Sequence, residues 1–256
     1  MNRYRFLLRE LVVRDLKVRY AGSVFGFVWA FVNSIWQLGL YSLVFSVILR
    51  TPLVGEGTTS FPAFLFAGLL PWMAFSEGLL RGTAAIVESS NLVKKLRFPS
   101  EILVVSVAIS ALVHSGFAFI VFFLIRFFTA GIVWSALPLL LVGLVGQFAV
   151  TLGLALLLAA LYVYMRDITH GVQLVISALF YLTPILYPAA LVPPRFSWAV
   201  NGNPLSTVVA TYRAFLLGSQ PPRIAAVGVL LFWGGALLAF GWIVFRRFSG
   251  RFSDEL

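Results

Sequence analysis

Catalysis, metal binding and proton transfer each need particular side chains at particular spacings, and this sequence is poor in them. It has two histidines, His114 and His170, nine carboxylates and no cysteine. Thiol catalysis, disulfides and Cys-ligated zinc are excluded. Neither histidine has a second histidine or a carboxylate at ligand spacing on one helix face, so no metal site is expected, and His114 reads as a hydrogen-bonded helix contact rather than a catalyst. The carboxylates Glu10, Asp15, Glu56, Glu77, Glu88, Glu101, Asp167, Asp254 and Glu255 fall at or near the ends of apolar runs or outside them. An ion-coupled carrier would instead place an ionisable cluster near a membrane midplane. There is no phosphate-binding loop of the GxxxxGK type, so ATP hydrolysis is not expected of this chain.

Two stripes of polar and aromatic residues offer a different chemistry. Trp29, Asn33, Trp36 and Leu40 recur at helical spacing with Gln37 at their edge, and Gln173, Ser177, Phe180, Pro184 and Tyr187 follow at i, i+4, i+7, i+11 and i+14. Sugar rings stack on aromatic faces and bond their hydroxyls to amides and hydroxyls, so such faces suit a neutral, hydroxyl-rich cargo. Ordinary helix packing is the other reading, with Trp29 as an interfacial anchor and the amides as glue between helices. Both readings stay open on the residues alone.

The elements that carry these stripes follow from composition. Of 256 residues, 61% are hydrophobic and 11% charged, far from the roughly one-quarter charged content of a soluble domain. Apolar runs at about 24–49, 61–80, 103–125, 132–163, 172–187 and 224–245 approach or exceed the roughly 20 residues a helix needs to cross a bilayer. They lack the alternation of barrel strands, which predicts an all-α integral membrane protein with six spans and both termini on one side. The net charge of +10 lies between the runs rather than along one soluble face, so it predicts orientation rather than nucleic-acid binding. Fourteen basic residues, including Arg3, Arg14, Arg81, Lys94 and Arg246, fall on the side of the termini; Arg50, Arg126, Arg195, Arg213 and Arg223 fall opposite. The termini are therefore expected in the cytoplasm. The charged first twenty residues do not fit a cleavable signal peptide.

Four connecting or packing features stand out. Residues 1–22 predict an interfacial helix with Tyr4, Leu7, Leu8, Leu11 and Val18 on one side and Asp15 intruding on the stripe, although a basic orienting tail is the plainer alternative. Between the second and third runs, Ser90 and Asn91 interrupt two short helical stretches, Pro99 opens the next helix, and Ile86, Val87, Leu92, Val93, Leu96 and Phe98 require a cover from a partner or from the chain's own amphipathic helix. The 165–170 loop joins Arg166 to Asp167 on the same side. Residues 188–222 are too rich in proline for one helix and too apolar for an exposed loop. A short helix at 205–217 is expected to re-enter from outside, bringing Tyr212 and Arg213 towards an exit as a gate or as a static cap. Finally, Gly143, Gly146, Ala149 and Gly153 predict close helix packing, within the chain or across a dimer.

Five ordered segments, RELVVRDLKVRYAGSVFGFVWAFVNS, KKLRFPSEI, YMRDI, LTPILYP and NGNPLSTVVATYRAFLLG, resemble the membrane subunit of type-2 ATP-binding-cassette (ABC) exporters. They look most like the permeases for O-antigen, capsular and teichoic-acid-type polysaccharides. The resemblance implies a single transmembrane domain over 1–256: the interface helix at 1–22, five spans within 24–187, an external re-entrant region at 188–222, the sixth span at 224–245 and a cytoplasmic tail at 246–256. It implies a homodimer in a bacterial inner membrane, joined by two separate ABC ATPase subunits that bind ATP and Mg, while this chain binds no cofactor. A lipid-linked polysaccharide would pass along the first and fifth spans, past Trp29, Asn33, Trp36, Gln37, Gln173, Ser177, Phe180 and Tyr187. Glu88, Asn91, Lys94, Lys95 and Arg97 would couple to the ATPase, with Arg166 and Asp167 as a second contact. Asn203, Pro204, Tyr212 and Arg213 would form the external gate. Rival readings are a type-2 ABC exporter of a drug or lipid, and an intramembrane enzyme or assembly factor.

Overall fold

The computed structural model describes residues 2–19, 23, 28–48, 60–95 and 98–255, and among them all regular structure is helical. In chain order the helices are α1 (Asn2–Arg19), α2 (Val28–Ser42, extended by π-helical turns over Leu43–Ile48), α3 (Phe61–Glu88), α4 (Ser90–Lys95), α5 (Glu101–Thr129), α6 (Leu137–Tyr164), α7 (Ile168–Leu182), α8 (Ser197–Asn201), α9 (Pro204–Leu217), α10 (Ile224–Ser249) and α11 (Phe252–Glu255). Four are long and apolar enough to cross a bilayer: α3, α5, α6 with the turn that precedes it, and α10. Of the two remaining expected spans, α2 has 15 residues and a six-residue extension, and α7 has 15 residues. At about 1.5 Å per residue, α7 alone falls short of a roughly 30 Å hydrocarbon core.

α3 is the centre of the bundle. It packs against α2, α5, α6, α7 and α9, and 78% of its most apolar stretch is buried. Ser60 caps its start and Pro62 occupies its first turn, where the missing N–H costs nothing. Close approach depends on small residues: a Cβ on Gly78 would meet Thr151, and one on Gly82 would meet Ala155. The stripe on α6 does the same within this chain. A Cβ on Gly143 would strike Thr211 of α9, one on Gly146 would strike Leu230 of α10, and one on Gly153 would strike the α10 backbone at Leu237. Gly241 returns the contact against the Gly153 backbone. Among the two places the sequence allowed for that packing, the chain's own core is the one observed.

Three expected boundaries shift. α3 continues past residue 80 to Glu88, so Glu77 and Arg81 lie in the body of the helix rather than at its end. The elbow breaks at Ser89, the C-cap of α3; Ser90 and Asn91 begin α4, and Pro99 precedes α5, whose N-cap is Ser100. The last span runs on to Ser249, after which the tail folds back as α11.

Candidate transport pathway and coupling surfaces

α1 is attached to the bundle by part of its apolar stripe and by charge. Of the expected stripe, Leu7, Leu8 and Leu11 are partly buried, Leu11 against the core, while Tyr4 and Val18 are exposed. Asp15 and Arg19 are partly buried as well, because they meet polar and ionisable partners on α3 and α5. Arg81 makes a two-pronged contact with the Asp15 carboxylate, with one N–H···O distance of 3.0 Å, and Ser110 donates to the same group. Arg19 pairs with Asp15 at 3.3 Å and with Glu77. His114 Nδ1 lies 2.9 Å from Glu77 Oε2 and 3.1 Å from Arg19 Nη1; protonated there it donates to Glu77, and otherwise it accepts from Arg19. Burial by itself would raise the Asp15 carboxyl, but the hydrogen bonds from Arg81 and Ser110, with the Arg81 and Arg19 charges, hold it down to about 2.

The pairing residues are four apart on each helix: Asp15 and Arg19, Glu77 and Arg81, Ser110 and His114. The last turn of α1 therefore runs alongside α3 and α5. Sequence reasoning found Asp15 with Arg19 and placed His114 as a hydrogen-bonded contact, but missed that Glu77 and Asp15 are its cluster. The available signal was two i,i+4 polar pairs, Glu77 with Arg81 and Ser110 with His114, in otherwise apolar helices, beside the Asp15–Arg19 pair of the charged α1.

The two polar-aromatic stripes are largely uncovered. On α2, Trp29, Asn33, Trp36 and Leu40 are exposed and Gln37 half-buried, and Val32, Trp36, Gly39 and Leu43 border a shallow groove. α2 rests on α3 and α5. On α7, Val172 and Ile176 are buried towards the bundle, whereas Gln173 and Ser177 are exposed. The Ser177 hydroxyl donates to the Gln173 backbone carbonyl one turn back. Phe180 packs its ring 5.4 Å from Trp72, Pro184 is buried, and the Tyr187 hydroxyl donates to the Tyr181 carbonyl. The stripe thus divides: its first half is open, and its second half is engaged within the chain.

At the elbow, Glu88, Asn91 and Lys94 are exposed. The Lys95 side chain and Arg97 lie outside the described residues. Part of the cover comes from the chain's own C-terminal helix, which sequence reasoning did not consider: α11 packs on α4, and Phe252 is fully buried with its ring 5.3 Å from Phe245 of α10. Arg166 and Asp167 are exposed, Arg166 over the Tyr162 ring.

The 188–222 region contains two 3-10 turns, α8 and the expected short helix, α9, which is buried along almost its whole length. Asn203 and Pro204 start it: the Asn203 side-chain Oδ1 accepts from Leu205 N–H at 2.9 Å, and its side-chain amide donates to Thr183 Oγ1 at 2.9 Å. Gly218, at φ 71°, ends it in the left-handed conformation that glycine adopts without strain. Tyr212 and Arg213 point into the bundle. Arg213 is 4% exposed, donates to the carbonyls of Pro184 at 2.7 Å and Ile185 at 2.8 Å, and sits over the Phe64 ring. Those carbonyls are freed because the chain leaves the helical path after Leu182, so the arginine replaces the lost hydrogen bonds. Tyr212 donates to Gln147, whose amide donates to the Pro71 carbonyl. Asn203, Tyr212 and Arg213 lock α9 to α3, α6 and the end of α7.

The family model described as "ABC-2 type transporter" matches residues 7–217. Among similar curated proteins, an "O-antigen export system permease protein RfbA" of Myxococcus xanthus is 33% identical over 249 residues, covering 92% of each chain. Two proteins of the same description from Klebsiella pneumoniae are 27% and 26% identical, covering 98% of this chain and 95% of theirs. With four helices of spanning length and a match over most of its residues, this multi-pass membrane chain belongs to the ABC-2 type transporter family.

Proposed function

We propose that this chain is the transmembrane subunit of an ATP-driven exporter that moves a lipid-linked polysaccharide of the O-antigen, capsular or teichoic-acid type out of the cytoplasm. The observation that carries the reading is the pair of uncovered, mixed polar and aromatic faces on α2 and α7. Lipid would not select Asn33, Gln173 and Ser177 for exposure, whereas a second copy enclosing a hydrated, aromatic-lined seam would. The relatives named as O-antigen export permeases support the cargo class, and the ABC-2 family match supports a separate ATPase subunit, which in this reading holds the ATP and Mg. In this reading two copies face each other across the seam in the bacterial inner membrane, with α1, the elbow and α11 on the cytoplasmic side. Two ATPases dock at Glu88, Asn91 and Lys94, and at Arg166 and Asp167. Nucleotide-driven closure moves the elbow, α3 transmits the displacement as a rigid rod, and the α2 and α7 faces part. Many weak contacts along those faces suit a sliding polymer better than one tight site.

The absence of cysteine makes the test direct. Asn33→Cys and Ser177→Cys, introduced singly, should each give an oxidative cross-link between two copies in native membranes. Vesicles holding the chain and its ATPase should translocate lipid-linked glycan only with ATP. Folded variants that never cross-link, or translocation without a nucleotide hydrolase, would overturn the proposal.

A further inference from the structure

A cavity of about 710 Å³ lies on the side of α7 turned away from Gln173 and Ser177. Leu179 and Leu182, which line it, sit roughly 120° to 180° around the helix from the open polar face at about 100° per residue. Its walls include Phe75 of α3, Leu154 of α6, and Trp233 and Leu237 of α10, with the mostly exposed Trp198 of α8 at its rim. The volume is within the roughly 300–1,000 Å³ of small-molecule sites.

The cavity's chemistry identifies its occupant. Tyr187 and Asn203 border it, and both are engaged elsewhere: Tyr187 with the Tyr181 carbonyl at 2.8 Å, Asn203 with Thr183 and Leu205 at 2.9 Å. A buried water needs about two to four polar partners and a sugar needs more, so the site suits neither. Depth agrees. Trp233 and Leu237 lie roughly 14–20 Å along α10 from its start at about 1.5 Å per residue, which is hydrocarbon depth. At the rim the charge is positive: the exposed guanidinium of Arg195 lies 4.8 Å from the ring of Phe196, which lines the cavity.

We propose that this cavity is a lipid site that takes one acyl chain of an anionic phospholipid from the leaflet flanking residues 188–222, with the lipid phosphate paired to Arg195. A hydrocarbon chain fills the space behind α7, and the Arg195 cation beside Phe196 favours a headgroup of net negative charge over one whose phosphate is balanced by choline. The site lies behind the face of α7 that carries Gln173 and Ser177 and shares with the proposed path only Tyr187, whose hydroxyl is bonded to the Tyr181 carbonyl.

The test is lipid binding to the purified full-length chain in detergent, read by native mass spectrometry. Dioleoylphosphatidylglycerol and dioleoylphosphatidylcholine are the probes. The wild-type chain should retain one phosphatidylglycerol in preference to phosphatidylcholine. Arg195→Gln should lower phosphatidylglycerol affinity about fivefold, abolishing the preference while phosphatidylcholine still binds. Leu182→Trp and Ala199→Trp fill the wall and should weaken both lipids at least about tenfold. Equal affinity of the wild type for the two lipids, or undiminished binding in a filled variant with wild-type thermal stability, would overturn the proposal. Leu182 is already 51% exposed, so its replacement decides the matter if Ala199→Trp does not fold.

Discussion

α10 and α7 are both largely uncovered by the rest of the chain, yet their open sides are made of different residues. α10 has 17% of its most apolar stretch buried, and from Ile224 to Ile243 its exposed residues are Ile, Ala, Gly, Leu, Phe and Trp without a polar member. α7 exposes Gln173 and Ser177 beside Leu174, Val175 and Tyr181, and α2 exposes Asn33 beside Trp29 and Trp36. Hydrocarbon is a sufficient neighbour for the first surface and a poor one for the second. Exposure in an isolated membrane chain therefore has two meanings, and the amides separate them.

The largest effect expected from breaking this contrast comes from the wall behind α10. Gly153→Leu or Gly241→Leu drives a side chain into a neighbouring backbone and should destabilise the chain by about 3 kcal/mol or more, read as a fall in thermal midpoint in detergent. Gly235→Leu, on the open side of the same helix with nothing within 4 Å, should change the midpoint little.

Next, exchanging the character of the two surfaces should give opposite results. Phe232→Asn on α10 presents an unpartnered amide to lipid and should cost about 2 kcal/mol, seen as reduced membrane insertion. Asn33→Leu on α2 should leave stability within about 0.5 kcal/mol, while lowering polymer export in vesicles if that face lines the path.

A smaller effect belongs to the α1 cluster. Arg81→Ala leaves Asp15 half-buried without its two-pronged partner and should loosen α1 by about 1–2 kcal/mol, between the values for exposed and buried pairs, measured by amide exchange in α1. Because the Asp15 carboxyl is held down from 3.8 to about 2, its contribution is complete above 3.8 and is lost as pH falls towards 2. Exchange through the last turn of α1, corrected for its intrinsic pH dependence, should show no loss of the Asp15 contribution between about pH 5 and 8 and a loosening only under strong acid.

Much of this architecture was legible in the residues because the bilayer imposes simple rules. Long apolar runs marked α3, α5, α6 and α10, and the prolines of 188–222 marked the broken region and its short helix. The amide and aromatic stripes marked α2 and α7, which expose Asn33, Gln173 and Ser177. What was not legible depended on tertiary partners. Asp15 spoils a one-helix apolar pattern because its partners, Arg81 and Ser110, lie on two other helices. Tyr212 and Arg213 read as exit residues because a short helix after an external loop gives no sign of which way it faces. Pro184 and Ile185 supply the explanation, since only the break in α7 creates carbonyls for an arginine to satisfy. α11, of four residues, has no periodic signal at all, yet it packs on α4 and buries Phe252 against Phe245.

The grip of Arg213 on Pro184 and Ile185 carries a consequence for biogenesis. A 14-residue segment bearing an arginine is a weak candidate for translocon insertion on its own. Its receptor is assembled from Phe64, Pro184 and Ile185, all synthesised earlier, so α9 has a docking place when it leaves the ribosome. Docking of α9 therefore depends on those earlier segments being in place, and its retention rests on the Arg213 contacts as well as on the hydrophobicity of the segment.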